Sequence, residues 1–276
     1  MSMLLLNGCQ LTKSDNNATK QSISKITKTA SVLPREENKY LSQEQAFKRS
    51  NRVSQVNYKL NFALTGDEIF TASSTINFTL NDASQPLTVD LNEAQLNSIV
   101  INGKKLSKQA LSKSYNNWFI TLPAAQLTQG KNSVTIDFTR KHSTNGEGLH
   151  RFKDPVDDRV YLYSHFEPAA AQQMFALFDQ PDLKATFEMT VSAPQDWTVF
   201  SAMREDNITK QGDVNIWHFP QSEILSPYNF SLHAGPYRMW KDNSGKYPLR
   251  LFTRQSVANQ ITPKHWFTYT KQGFEF

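Results

Sequence analysis

From residue 53 onward apolar and polar side chains alternate. Val56, Tyr58, Leu60, Phe62 and Leu64 take every second position, and Thr65-Gly66-Asp67-Glu68 then supplies a turn. Ile76, Phe78 and Leu80 repeat the alternation. A period of two places one set of side chains on each face of a strand, so these runs predict a half-buried antiparallel pair. Similar runs predict strands at 87–91, at 98–101 with Asn102-Gly103 as a hairpin turn, and at 117–122. Another follows the turn at Gln129-Gly130-Lys131, around Val134, Ile136 and Phe138. Later strands are predicted at 159–164, 185–192, 197–203, 214–219, 228–235 and 248–253. Strands at this spacing, punctuated by Gly, Pro and Asn, predict an all-β fold, a β-sandwich or a large twisted sheet.

Helical signals sit near the two ends of this body. Residues 41–52, LSQEQAFKRSNR, carry Ser42 as an N-cap with Gln45 three positions on, the spacing of a capping box. Thr262-Pro263 reads as a cap followed by proline at the first helical position, and Phe267, Lys271 and Phe274 then share one side beside Trp266 and Tyr269. Nothing after Phe274 ends this helix or covers its apolar face, so the chain is expected to be cut before a further domain.

Charge changes the picture only at the N-terminus. The formal net charge is +5, and residues 1–52, with nine Lys/Arg against four Asp/Glu, account for all of it. The remainder is neutral, so no nucleic-acid partner is indicated. No apolar run reaches the roughly 20 residues of a membrane-spanning helix. A single cysteine, Cys9, rules out an intrachain disulfide and a multi-thiolate zinc site.

That cysteine closes Leu6-Asn7-Gly8-Cys9, which resembles a bacterial lipobox. A lipid on Cys9 would tie the protein to a membrane, with the polar residues 10–38 as a flexible tether. The first nine residues lack the basic and long apolar regions of a working signal. Two readings stay open: the true start lies upstream and residues 1–9 are the end of a signal, or the match is accidental. The first places the protein in the bacterial cell envelope, facing the periplasm; the second allows the cytoplasm.

Residues 147–187, EGLHRFKDPVDDRVYLYSHFEPAAAQQMFALFDQPDLKATF, hold the candidate chemistry. A strand over Val160–Tyr163 runs into His165-Phe166-Glu167-Pro168, followed by a helical patch at Ala169–Phe175 and a turn at Asp179-Gln180-Pro181-Asp182. Glu167 sits where a strand ends, a position from which a side chain can face a cleft. The structural alternative is a carboxylate that caps the following turn. His165 is a candidate base or ligand, but no other histidine stands at metal-binding spacing from it.

The run HFEPAAAQQMFALFDQPDLKATF resembles the hallmark of the aminopeptidase N family of zinc aminopeptidases, approximately TQFEPxxARRxFPCFDEPxxKATF. SEILSPYNFSLHAGPY and PLRLFTRQSV resemble the family's closing strands and its passage into the catalytic domain, so the likeness covers about residues 40–276. His165 stands for the family's Gln, Gln172-Gln173 for Arg-Arg, Ala176-Leu177 for Pro-Cys and Gln180 for Glu. Losing both arginines puts the local potential in doubt, whereas Gln180 keeps a carbonyl oxygen for a turn. Asp179, Pro181, Lys184 and Phe187 are retained and read as turn and packing residues.

The resemblance implies an organisation: residues 1–9 a truncated lipoprotein-like signal, 10–38 a tether, 39–247 the N-terminal β-domain, and 248–276 the start of a thermolysin-like catalytic domain. It implies that Glu167 grips the free α-ammonium of a peptide substrate and that His165 lines the pocket for the first residue. The family's zinc motif HExxH and its GxMEN motif do not occur in the sequence, so catalytic residues and zinc are expected in the missing domain, and this segment is expected to be inactive alone. A competing reading is a non-catalytic, lipid-anchored β-sandwich module binding peptide or carbohydrate, with Trp118, Trp197, Trp217 and Tyr237 as stacking residues.

Overall fold

Alternation becomes strands wherever one face is buried. The computed structural model describes residues 35, 37–38 and 40–276, so Cys9 and most of the predicted tether lie outside the described residues. The first elements among the described residues are α1 (Gln43–Arg52), β1 (Val53–Ala63), β2 (Ile69–Leu80), β3 (Leu87–Asp90), β4 (Ala94–Ile101) and β5 (Lys104–Lys105). The chain continues with α2 (Lys108–Lys113), β6 (Phe119–Leu122), β7 (Gly130–Lys141), β8 (Gly148–Lys153), β9 (Val160–His165) and β10 (Ala185–Pro194). The last elements are β11 (Thr198–Ser201), β12 (Asn207–Gln211), β13 (Val214–Phe219), β14 (Leu232–Gly235), β15 (Arg238–Asp242), β16 (Leu249–Thr253) and α3 (Pro263–Glu275).

The fold is all-β. An eight-stranded sheet has the order β12-β13-β10-β1-β2-β7-β4-β5, and a four-stranded sheet the order β11-β14-β9-β8. Two hairpin-sized sheets, β3-β6 and β15-β16, complete it. Among the strands of the described residues only β1 and β10 pair in parallel, with Tyr58 opposite Phe187 and their rings stacked at 5.1 Å. The inner faces of both large sheets meet in one core that also receives Phe166 and Met174–Phe178. The outer face of the larger sheet is polar, as antiparallel sheets with one wet face are. Asn57 there bonds Thr186 at 2.9 Å, and Thr75 bonds Thr135 at 2.9 Å.

The predicted capping box forms, with Gln45 N donating to Ser42 Oγ at 3.3 Å and Ser42 N donating to Gln45 Oε1 at 3.1 Å. Asn102 and Gly103, with φ of 49° and 79°, make the expected hairpin turn between β4 and β5. The C-terminal helix also forms, but Thr262 makes no side-chain cap bond. Its predicted stripe is a packing face: Phe267 is buried, Lys271 Nζ meets Asp242 Oδ2 at 2.7 Å, and Phe274 lies 5.1 Å from the Tyr247 ring.

Several elements differ from expectation. The helical patch at 169–175 is a single 3-10 turn, Ala171–Gln173, because the chain must dive at once into the core at Met174 and Phe175. Residues 227–229 form another such turn, so the strand expected from 228 starts at Leu232. Strands β8, β12 and β15 and the helix α2 were not indicated by alternation; every residue of the edge strand β12 is exposed, so it has no apolar face to show.

A buried polar hub ties α1 to the segment after β9. Arg49, the buried residue of α1, donates from Nη1 to Asp90 Oδ2 at 2.8 Å and from Nε to Gln180 Oε1 at 3.0 Å. Arg35 pairs with the other oxygen of Asp90, its guanidinium 4.2 Å above the Phe119 ring. Gln180 Nε2 donates to Ala46 O at 3.0 Å, so this side chain uses its nitrogen as well as its oxygen. Burial would raise the Asp90 carboxyl, but Arg49 and Arg35 outweigh it and hold the group below its ordinary range.

Candidate functional site

Strand β9 carries two populations of side chains. Leu162 faces the core, and Ser164 accepts a bond from Leu232 N at 2.8 Å on the same side. Tyr161, Tyr163 and His165 point the other way. The alternation continues one step past the strand: His165 is exposed, Phe166 is buried at 2% exposure, and Glu167 is exposed again. Phe166 is locked by rings, stacked with Phe230 at 6.4 Å and edge-on to Phe175 at 6.2 Å. This lock holds His165 and Glu167 on the same open side of a rigid strand end.

The turn beyond is closed without Glu167. Ala170 N donates to Phe166 O at 2.8 Å, and Gln172 N donates to Asp179 Oδ2 at 3.0 Å. The cap carboxylate is therefore Asp179, and the carboxylate of Glu167 makes no hydrogen bond or ion pair with any of the described residues. Asp179 lies deep, and burial pushes its carboxyl up to about 7, aided by the neighbouring charge of Asp90. Gln173, at one of the two arginine positions of the family pattern, bonds Glu147 Oε2 at 2.6 Å. Gln172 is buried, donating from Nε2 to Ala169 O at 3.1 Å.

Opposite His165 stands Gly148, at φ 65°. A Cβ there would come within 2.7 Å of Gln173 Cβ, so the position demands glycine and leaves His165 without a cross-strand side chain on β8. The next rank on this face is a row of four rings, one from each strand: Phe200, His233, Tyr163 and His150 in register. Phe200 stacks on His233 at 4.7 Å, and His150 lies 4.8 Å from Tyr163. Burial pushes His233 down to about 4, so this row is neutral at ordinary pH. A cavity of about 420 Å³ opens on the same face, lined by Phe152, Tyr163, Tyr237, Thr253 and Arg254.

Of the sequence-predicted residues, His165 and Glu167 come together, while Cys9 lies outside the described residues. Trp197 and Trp217 are buried in the core, which removes them from any stacking surface; Trp118 is half-buried. The pocket residues Phe152, Tyr163 and Arg254 were not foreseen; the period-two position of Tyr163 relative to His165 was the available signal. Among the described residues no three His, Cys, Asp or Glu converge as metal ligands. The strand end offers binding chemistry: an exposed carboxylate for a cation and an exposed imidazole two residues before it.

The model of the Peptidase M1 N-terminal domain matches residues 54–229. Aminopeptidase N of Streptomyces lividans is 32% identical over 243 residues, which cover 86% of this chain and 27% of that protein. A probable M1 family aminopeptidase 1 of Encephalitozoon cuniculi is 32% identical over 122 residues, 42% of this chain and 13% of that protein. Aminopeptidase M1 of Arabidopsis thaliana is 30% identical over 137 residues, 49% of this chain and 16% of that protein. The chain spans about a quarter or less of the length of these curated relatives.

Proposed function

Because the chain belongs to the M1 aminopeptidase family, through the N-terminal domain matched over residues 54–229, we propose that it anchors the amino end of peptide substrates for a zinc-dependent aminopeptidase. In this reading residues 39–247 are the anchoring β-domain, and residues 248–276 begin the domain that bears the catalytic machinery. The carrying observation is the Glu167 carboxylate, exposed and without a partner among the described residues, on the same side as His165.

Such a carboxylate distinguishes a free amino terminus from a blocked one by charge. In open water an ion pair at 4 Å is worth about 1 kcal/mol, and near a protein surface up to about 4 kcal/mol, so discrimination grows as the site excludes water. His165, beside Glu167, would line the pocket of the first side chain. Zinc supplies Lewis-acid chemistry when bound; the described residues do not gather a ligand set for it, and their part is to bind and orient. The segment alone is expected to be inactive because HExxH and GxMEN do not occur in it, and turnover of aminoacyl substrates by the purified 276-residue chain would refute this.

The test is Glu167→Ala in the full-length peptidase, comparing inhibition by an aminoacyl amide with that by its N-acetylated counterpart. The variant should lose most of the preference for the free amine. An unchanged preference, or equal weakening of both, would remove Glu167 from this role.

The proposal extends to location. Leu6-Asn7-Gly8-Cys9 ahead of a polar stretch supports a lipid on Cys9 and an envelope-bound, periplasm-facing protein. Expressed from its own gene, the Cys9→Ser variant should move from the membrane fraction to the soluble one; no shift favours the cytoplasm.

A further inference from the structure

The β8–β9 hairpin has two working ends. At one end β9 delivers His165 and Glu167. At the other, the loop after β8 grips three consecutive residues beyond β16. Asp154, 1% exposed, is the centre of that grip. Its Oδ1 accepts from Val156 N at 2.9 Å, and its Oδ2 accepts from Ser256 Oγ at 2.6 Å and from Arg254 Nη1. The Ser256 hydroxyl, the Val156 N–H and Arg254 together hold the carboxyl below its ordinary range. Arg254 also lies over the Phe152 ring at 4.8 Å.

Tyr161 completes the joint. Its hydroxyl donates to Asp157 Oδ2 at 2.8 Å and accepts from Gln255 N at 3.0 Å. Gln255 Nε2 in turn donates to Pro236 O at 3.0 Å. The ring is fully buried and meets Tyr237 edge-on at 5.1 Å, while Tyr237 Oη donates to Leu162 O at 3.2 Å. Arg254, Gln255 and Ser256 are thus each held, and the chain runs on from them through the 3-10 turn 255–260 into α3. Tyr161 and Glu167 are six residues apart along β9 and its extension, roughly 20 Å at about 3.3 Å per residue.

We propose that Asp154 and Tyr161 are positioning residues: by clamping Arg254–Ser256 to the β8–β9 hairpin, they set where the Glu167 carboxylate stands relative to the chain that continues through α3. The proposal rests on the anchoring reading of Glu167. The joint is built of directed bonds to buried groups and lies at the far end of the very strand that carries the anchor. A displacement of about 1 Å in a binding group can cost as much as 100-fold in kcat/KM, so a clamp of this kind has a functional consequence beyond stability.

The experiment uses the full-length peptidase with Asp154→Asn and Tyr161→Phe, each alone and each combined with Glu167→Gln. Asn retains an acceptor for Val156 N–H, and Phe retains the packed ring, so at least one variant should keep the fold, checked by its melting temperature. Each single variant should raise KM for a peptide with a free amino terminus roughly tenfold, with kcat little changed, the signature of lost uniform binding. In the Glu167→Gln background the same changes should leave KM unmoved, because their effect passes through the anchor. If the clamp variants leave KM unchanged, or raise it equally in both backgrounds, the positioning role is overturned while the anchor stands. If Glu167→Gln alone does not alter KM, the anchoring reading falls, and the clamp proposal with it.

Discussion

Asp90 is the position whose loss should cost this domain most. Its carboxylate is buried at 1% exposure and neutralises two buried guanidinium groups, Arg35 and Arg49, while also accepting Asp179 N at 2.9 Å. Several guanidinium nitrogens, Arg35 Nε and Nη2 and Arg49 Nη2, already lack a partner among the described residues. Asp90→Asn would therefore leave two positive charges without compensation. Breaking a buried pair in this way costs about 3–5 kcal/mol. For a domain of this size each kcal/mol moves Tm by about 2–4 °C, so a fall of roughly 6–20 °C is expected.

The two arginines should not be equivalent. Arg49→Met orphans Gln180 Oε1 but leaves Asp90 with Arg35. Arg35→Met leaves Asp90 with Arg49 and removes a guanidinium that burial already disfavours. The expected order of cost is Asp90→Asn, then Arg49→Met, then Arg35→Met. Urea unfolding followed by tryptophan fluorescence, with far-UV circular dichroism as a second probe, gives the free energies. A loss below about 1 kcal/mol for Asp90→Asn, the range of exposed pairs, would show that the hub is solvated and the reasoning wrong.

Other expectations concern the site itself. Asp179, its carboxyl raised to about 7 by burial, holds its proton in the fold while the unfolded chain releases it, so its contribution to stability is full below about 3.8 and declines as pH rises toward 7. His142 and His233, pushed down to about 4, act oppositely over this range, because the unfolded chain takes up their protons first as pH falls. The test is thus the difference between wild type and Asp179→Asn, which should shrink between pH 4 and 7; a flat difference refutes it. Gly148→Ala, at φ 65° and with a 2.7 Å approach to Gln173, should cost about 1–3 kcal/mol and disturb His165; a melting temperature within a degree of wild type would show that the turn accommodates a side chain. His165→Gln in the full-length peptidase should change relative rates across first-residue substrates more than the rate on the best one, and an unaltered ranking would place His165 outside that pocket.

Residue order alone specifies the elements whose signals are local. Alternation in β1, β2 and β7 marks strands because one face of each packs on the core, and Ser42 with Gln45 marks a helix start because both partners lie within one turn. The family likeness singles out Glu167, but residue order does not say which carboxylate caps the following turn; Asp179, seven residues beyond Gln172, takes the cap. The parallel pairing of β1 with β10, the meeting of Arg35, Arg49, Asp90 and Gln180, and the capture of Arg254–Ser256 by Asp154 and Tyr161 arise only in the folded chain. Local sequence encodes which face of an element is apolar; contacts between groups a hundred residues apart depend on how the sheets close on each other, and no period or spacing in the chain records that.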